Sequence, residues 1–372
     1  MLFGPFAMQW RTPSPNPPSP TPLPSGISQI FIPTPSGPLE ILSALPSSSP
    51  KSKPTLFFAH GGFGCAEMWI PWMLYFSAKG YACYAVSYRG HGKSWYPGFL
   101  RMVWTGRGTM AGDLVEGVRF VERCERKRRG VDGNGEGGEG KIVLIGHSAG
   151  AGLSQYVLSR GLVQVHGFVI CAGVPAFGSA SCYVFWAPMA PLHFPYRLFH
   201  PRYPLATTSQ IRAAFFAPDT PLPYITHLER LLSPYESLLW PMQMMWRFVT
   251  GPDVMSNITG WRTTTTKKEG NGKEGCVKPR LLVLAGEKDV VCKPWLLLDA
   301  AKRYQAAFRD MVGRGQVPGI ETKDLDSGDS GVIGGSGVLY RVAKGVGHHM
   351  QNQEEGKWQR GAEEIAGWLE GL

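Results

Sequence analysis

Gly146-His147-Ser148-Ala149-Gly150 holds a serine at the centre of Gly-x-Ser-x-Gly, and a carboxylate and a histidine pair follow it in Gly286-Glu287-Lys288-Asp289 and Gly345-Val346-Gly347-His348-His349. A serine hydroxyl is a poor nucleophile unless an imidazole takes its proton, and the imidazole keeps the required tautomer when an acid orients it. Acyl transfer is the chemistry these types could perform. A five-residue pattern is weak by itself in a chain with 47 glycines. Its surroundings strengthen it: the apolar run Lys141 to Ile145 precedes it, and Leu153 to Leu158 follow at helical spacing. That order predicts a strand, a sharp turn and a helix, with Ser148 exposed at the apex.

Asp289 lies just beyond the apolar run Leu281 to Ala285, whereas the run ending at Ala172 is followed by Gly173 to Ala180 without a carboxylate. Glu287 is the nearest competitor, with a surface ion-pair role as its plainer reading. An oxyanion needs backbone N–H groups already aimed at it. Ala149, directly after the serine, supplies one; the other is expected from Gly61-Gly62-Phe63, with Gly62 favoured and Phe63 as its neighbour. His60 reads as a loop brace, the Arg89 to Ser94 segment as a turn beneath the site, and His147 as a packed side chain.

Several elements must position these groups. Gln29 to Ile32 and Leu39 to Leu42 flank Pro35-Ser36-Gly37-Pro38 and predict a hairpin. Thr55 to Ala59, Ala82 to Ser87, Ile142 to Ile145, Gly167 to Ala172, Leu281 to Ala285 and Gly337 to Val342 read as buried strands separated by helices. The fold class is therefore α/β with a mainly parallel, doubly wound sheet, in which function gathers beyond the carboxyl ends of the strands. Core residues 29–172 and 279–372 bracket a region, 173–261, rich in aromatics, proline and methionine. Tyr183 to Trp186, Phe194, Phe199, Phe215-Phe216 and Trp240 to Trp246 are expected to cover the serine with apolar surface. Residues 1–28 read as a flexible Pro/Ser-rich tail, and 130–140, 262–278 and 312–336 as low-complexity surface insertions.

The formal charge of +10 invites a nucleic-acid partner, but much of the excess sits in Arg119, Arg123, Arg126, Lys127, Arg128 and Arg129 at one helix end. The helix dipole favours cations there, so no nucleic acid is expected; weak peripheral attraction to anionic membranes stays open. No apolar run reaches the ~18 residues of a spanning helix, and Met1 to Trp10 lack the marks of a secretory signal. Seven cysteines without CxxC spacing suit reduced thiols, and a cytoplasmic setting, better than a disulfide framework or a zinc site. Composition says nothing of oligomeric state.

From about residue 29 onward the chain resembles the α/β-hydrolase fold family. The resemblance rests on His60-Gly61-Gly62, Tyr88-Arg89-Gly90-His91-Gly92-Lys93-Ser94, Gly146 to Gly150, Gly286 to Asp289 and Gly345 to His348, five motifs in the family's order, each at an expected strand end. It implies a serine esterase or lipase-like member with a helical cap inserted at 173–261. It also implies His348 as the base, ahead of His349, beside Ser148 and Asp289, and it implies no cofactor or metal. Relatives that open epoxides or displace halides need a carboxylate where Ser148 stands. The expected reaction is hydrolysis of a carboxylic ester of a small apolar or lipid-like molecule through an acyl-enzyme. Thioester or amide hydrolysis, acyl transfer, carbon–carbon bond hydrolysis and cofactor-free peroxidation suit the same three residues. A binding protein on the same scaffold is the reading of a different class.

Overall fold

In the computed structural model, which describes residues 8–13, 22–47, 53–130, 141–261, 263–264, 276–325 and 337–372, the apolar runs line up as one twisted sheet. Its strands are β1 (Ser28–Ile32), β2 (Leu39–Ala44), β3 (Thr55–Ala59), β4 (Cys83–Val86), β5 (Ile142–His147), β6 (Gly167–Cys171), β7 (Leu281–Gly286) and β8 (Val338–Ala343). The spatial order is β1-β2-β4-β3-β5-β6-β7-β8. The hairpin β1/β2 and the β2/β4 pair are antiparallel and every other pair is parallel, with Phe57 opposite Leu144 and Leu144 opposite Phe168. From β4 the chain crosses back over β3 to reach β5. The loops after β3 and β5 therefore part at the switch point, where a ligand crevice forms.

Alternation along the strands builds two apolar layers. Leu56, Phe58, Val143 and Ile145 face Trp72, Met73 and Phe76 of α1 (Ile70–Ala78) and the helix that ends the chain. Phe57, Ala59, Ile142 and Leu144 face α2 (Arg107–Arg128), through Leu114, Val118 and Val121, and α3 (Ala149–Ser159), through Leu153 and Val157. Between β6 and β7 run short helices, among them α4 (Thr208–Phe215) and α5 (Leu222–Leu231). After β7 comes α6 (Pro294–Gly313), and α7 (Trp358–Glu370) closes the second layer.

Three expectations change. Order begins before residue 29: Leu23 and Ile27 pack against the α1 layer, and His200 Nε2 donates to the Gln9 carbonyl at 2.9 Å with Trp10 edge-on to its ring. The stretch from 312 is not insertion throughout, because α6 runs to Gly313 and Val317 and Ile320 beyond it are buried. Arg128 and Arg129, in the basic run, serve the buried carboxylate of Glu125, which also accepts from Tyr84 and Thr55 hydroxyls. Burial alone would raise the Glu125 pKa; these donors hold it below the usual range. Residues 1–7, 14–21, 131–140, 265–275 and 326–336, where most of the tail and insertion expectations fall, lie outside the described residues. Among the described residues, no helix is long and apolar enough to cross a membrane.

Candidate functional site

Ser148 stands between β5 and α3 with φ 51° and ψ −126°, a conformation rare for a residue with a side chain. The backbone crossing that enforces it explains the two glycines. A Cβ on Gly146 would lie 2.6 Å from Ala151 Cα, and one on Gly150 only 2.1 Å from the His60 carbonyl oxygen. The elbow is wedged between its own helix and the β3 loop, and any larger residue would push them apart.

The loops after β7 and β8 meet this serine. Ser148 Oγ is 2.9 Å from His348 Nε2, and His348 Nδ1 is 2.9 Å from Asp289 Oδ2. The other oxygen of Asp289 accepts the Val291 and Cys292 amides at 2.8 and 2.9 Å, so the carboxylate is held in place before the histidine reaches it. All three expected residues are brought together. Their competitors face elsewhere. Glu287 accepts the Gly345 amide and lies near Lys288 and Lys344 at the surface. His349 turns its Nδ1 to Asn352 Oδ1 at 3.1 Å, and burial, then the neighbouring His348, push its pKa down to about 3. His147 donates from Nε2 to the His348 carbonyl at 3.0 Å, and His60 accepts the Tyr88 amide at 3.1 Å. Burial holds both rings neutral, with pKa values well below the ordinary 6.5. They brace loops.

Of the amides expected to form an oxyanion site, those of Gly62 and Ala149 find no acceptor among the described residues. Phe63 differs. Its N–H donates to Glu236 Oε2 at 2.7 Å, so of the two neighbours it is Gly62, the favoured one, whose amide stays open. Sequence reasoning missed Glu236, whose signal was modest: it is the lone acidic residue between Glu229 and Asp253.

A cavity of about 320 Å³ opens over the serine, walled by Tyr183, Trp186, Phe215, Trp240 and Met245 and floored by Ser148, Ala149 and His348. Phe215 also stacks on the His348 ring, with centroids 5.6 Å apart. Phe194, Phe199, Phe216 and Trp246, expected in the same cover, do not line it. Asp289, Cys292 and His348 present potential metal-ligand atoms within 4.8 Å of one another. Asp289 and His348 already bond to each other, however, and the Cys182 hydrogen bond and burial push the Cys292 thiol well up, which disfavours the thiolate a metal would need.

A family model described as "Alpha/beta hydrolase family" matches residues 56–356. The chain belongs to the alpha/beta hydrolase family, a hydrolase enzyme on that fold. It is similar in structure to a highly thermostable carboxyl esterase from Bacillus coagulans, at TM-score 0.59 and 14% identity over 94% of this chain and 99% of that one. It is also similar to a thermophilic esterase from Thermogutta terrifontis, at TM-score 0.56 and 15% identity over 92% and 98%. E-2-(acetamidomethylene)succinate hydrolase matches at TM-score 0.54 and 15% identity over 92% and 99%. At such identities the likeness concerns the fold.

Proposed function

We propose that the protein is a serine esterase that cleaves a carboxylic ester of an apolar or lipid-like small molecule through an acyl-enzyme. The observation that carries this reading is the run of hydrogen bonds from Ser148 Oγ through His348 to Asp289, each 2.9 Å long. In the proposed reaction His348 Nε2 takes the hydroxyl proton as Oγ adds to the ester carbonyl, and the amides of Gly62 and Ala149 receive the negative oxygen. The alcohol leaves with the proton from His348; water, activated by the same imidazole, then releases the acid. Asp289 holds the ring and balances the imidazolium.

Residues 173–261 are read as the cap. Its support is the cavity wall of Tyr183, Trp186, Trp240 and Met245, which suits an apolar chain. Val184, Phe185, Met189 and Leu192 stay exposed along the same segment, where an apolar substrate could enter. The test is labelling by a fluorophosphonate together with turnover of p-nitrophenyl esters of graded acyl length. Wild type should label and hydrolyse, and Ser148→Ala should do neither. Equal labelling of the two, or turnover of amides alone, would overturn the reading.

A further inference from the structure

Glu236 is only 4% exposed and lines an apolar cavity beside the serine where negative charge would develop. A buried carboxylate in such a place is costly unless donors surround it. Here three do. Oε2 accepts the Phe63 amide at 2.7 Å and His91 Nε2 at 2.8 Å, and Oε1 accepts the Ser237 amide at 2.7 Å. His91 Nδ1 in turn meets the Arg89 carbonyl at 2.9 Å, so both ring nitrogens face acceptors and the ring must carry both protons. The pair is then neutral overall and does not oppose a nearby oxyanion.

The peptide it grips is strained. Phe63 has φ 61°, in the left-handed region that a bulky residue adopts only when its surroundings enforce it. One short run of the insert holds this residue at both ends: its N–H goes to Glu236, and its carbonyl accepts the Ser233 amide at 2.9 Å. The preceding amide, Gly62, finds no acceptor among the described residues, and the loop touches the nucleophile, since a Cβ on Gly61 would lie 2.7 Å from Ser148 Cβ.

The geometry points to Glu236 as a positioning residue: reaching in from the insert, it fixes the Phe63 peptide and thereby aims the Gly62 amide at the oxyanion formed on Ser148, while His91 cancels its charge. This rests on the esterase reading of Ser148. It explains why an acid stands in an apolar wall, and it makes the insert part of the reaction machinery as well as a cover.

The experiment compares wild type, Glu236→Ala, Glu236→Gln and Ser148→Ala in p-nitrophenyl ester hydrolysis, with kcat expressed per fluorophosphonate-titrated serine. Loss of one oxyanion donor typically lowers kcat by about 10²-fold. Glu236→Ala should approach that loss with KM changed less than about threefold. Glu236→Gln keeps an acceptor for Phe63 and should recover about tenfold of it. A merely structural glutamate would lower the titrated fraction and the melting temperature while leaving kcat per active serine unchanged, and that result would overturn the proposal. If Glu236→Ala does not fold, Glu236→Gln decides: a kcat below wild type at unchanged KM supports it, and a wild-type kcat overturns it. Absence of turnover and labelling in wild type would overturn the esterase reading and this inference together; normal wild-type activity with unaffected Glu236 variants would overturn this inference alone.

Discussion

His348 and His349 are consecutive in the chain yet face different partners: the first joins Ser148 to Asp289, and the second closes on Asn352 beneath the Phe215 ring. A proposed base and a packed histidine therefore sit one residue apart. His348→Ala should lower ester kcat by on the order of 10⁴-fold or more, whereas His349→Gln should stay within roughly tenfold of wild type. Steady-state kinetics on the two variants checks this; a comparable collapse in both would remove the distinction.

Acid should destabilise the fold. His60, His147 and His349 are buried with pKa values below the ordinary 6.5, that of His349 at about 3. Below pH 6.5 the unfolded chain binds protons that these rings refuse, so stability falls as the pH drops, for His349 until the pH nears its folded value of about 3. His91 has the opposite sign. Burial works against its protonation, but the charge and hydrogen bond of Glu236 outweigh it and raise its pKa, so its contribution is complete below 6.5 and is lost as pH rises through the folded value. Urea unfolding across this range should show a slope that His349→Gln reduces by about one proton. An unchanged slope would mean that His349 titrates normally.

The serine turn should tolerate no Cβ at its second glycine. Gly150→Ala would place a methyl carbon 2.1 Å from the His60 carbonyl oxygen, a backbone atom that cannot rotate away. A loss of about 3 kcal/mol or more is expected. Gly112→Ala, in open space on α2, is the control and should cost nothing or stabilise slightly. Chemical denaturation of both variants tests the contrast.

Thiol reagents should fail to reach five of the cysteines in the native protein. Cys65, Cys83, Cys171, Cys182 and Cys292 are buried, and burial raises the thiol pKa of the first three, while the Cys182 hydrogen bond and burial raise that of Cys292. High pKa and exclusion of water both suppress thiolate attack. Peptide mapping after brief iodoacetamide treatment at pH 8 should leave these five unmodified, and urea should expose them all. Rapid native labelling of Cys182 would instead show that the segment between β6 and β7 opens over the cavity on that timescale.

Much of the site was legible because each motif follows a strand end. Apolar runs of five or six residues announced the parallel strands, and polar residues directly after them had to gather at one edge of the sheet. The acid could be placed after Leu281 to Ala285, where Asp289 lies, instead of after the strand ending at Ala172 on that ground. Other features depended on contacts between distant segments. Ordered packing of Leu23, Ile27 and Trp10 was hidden in proline-rich sequence, because it depends on surfaces supplied by α1 and by His200 between β6 and β7. Val317 and Ile320 were lost for the same reason, as two apolar residues among glycines and charges carry no periodicity.

By itself the sequence determined the order of the strands along the chain, the serine turn with its obligatory glycines, and a serine, an acid and a histidine pair at successive strand ends, since these follow from local pattern and from which residue type can do which step; the preference for His348 over His349 came only from the family resemblance. Tertiary structure alone decided which side chains line the cavity, where each of two adjacent histidines points, and what the amide of Phe63 bonds to. Glu236 lies 173 residues from Phe63 and 145 from His91. No local pattern encodes a bond of that span; it exists because the segment between β6 and β7 folds back over the β3 and β4 loops and a buried carboxylate must find donors wherever they are.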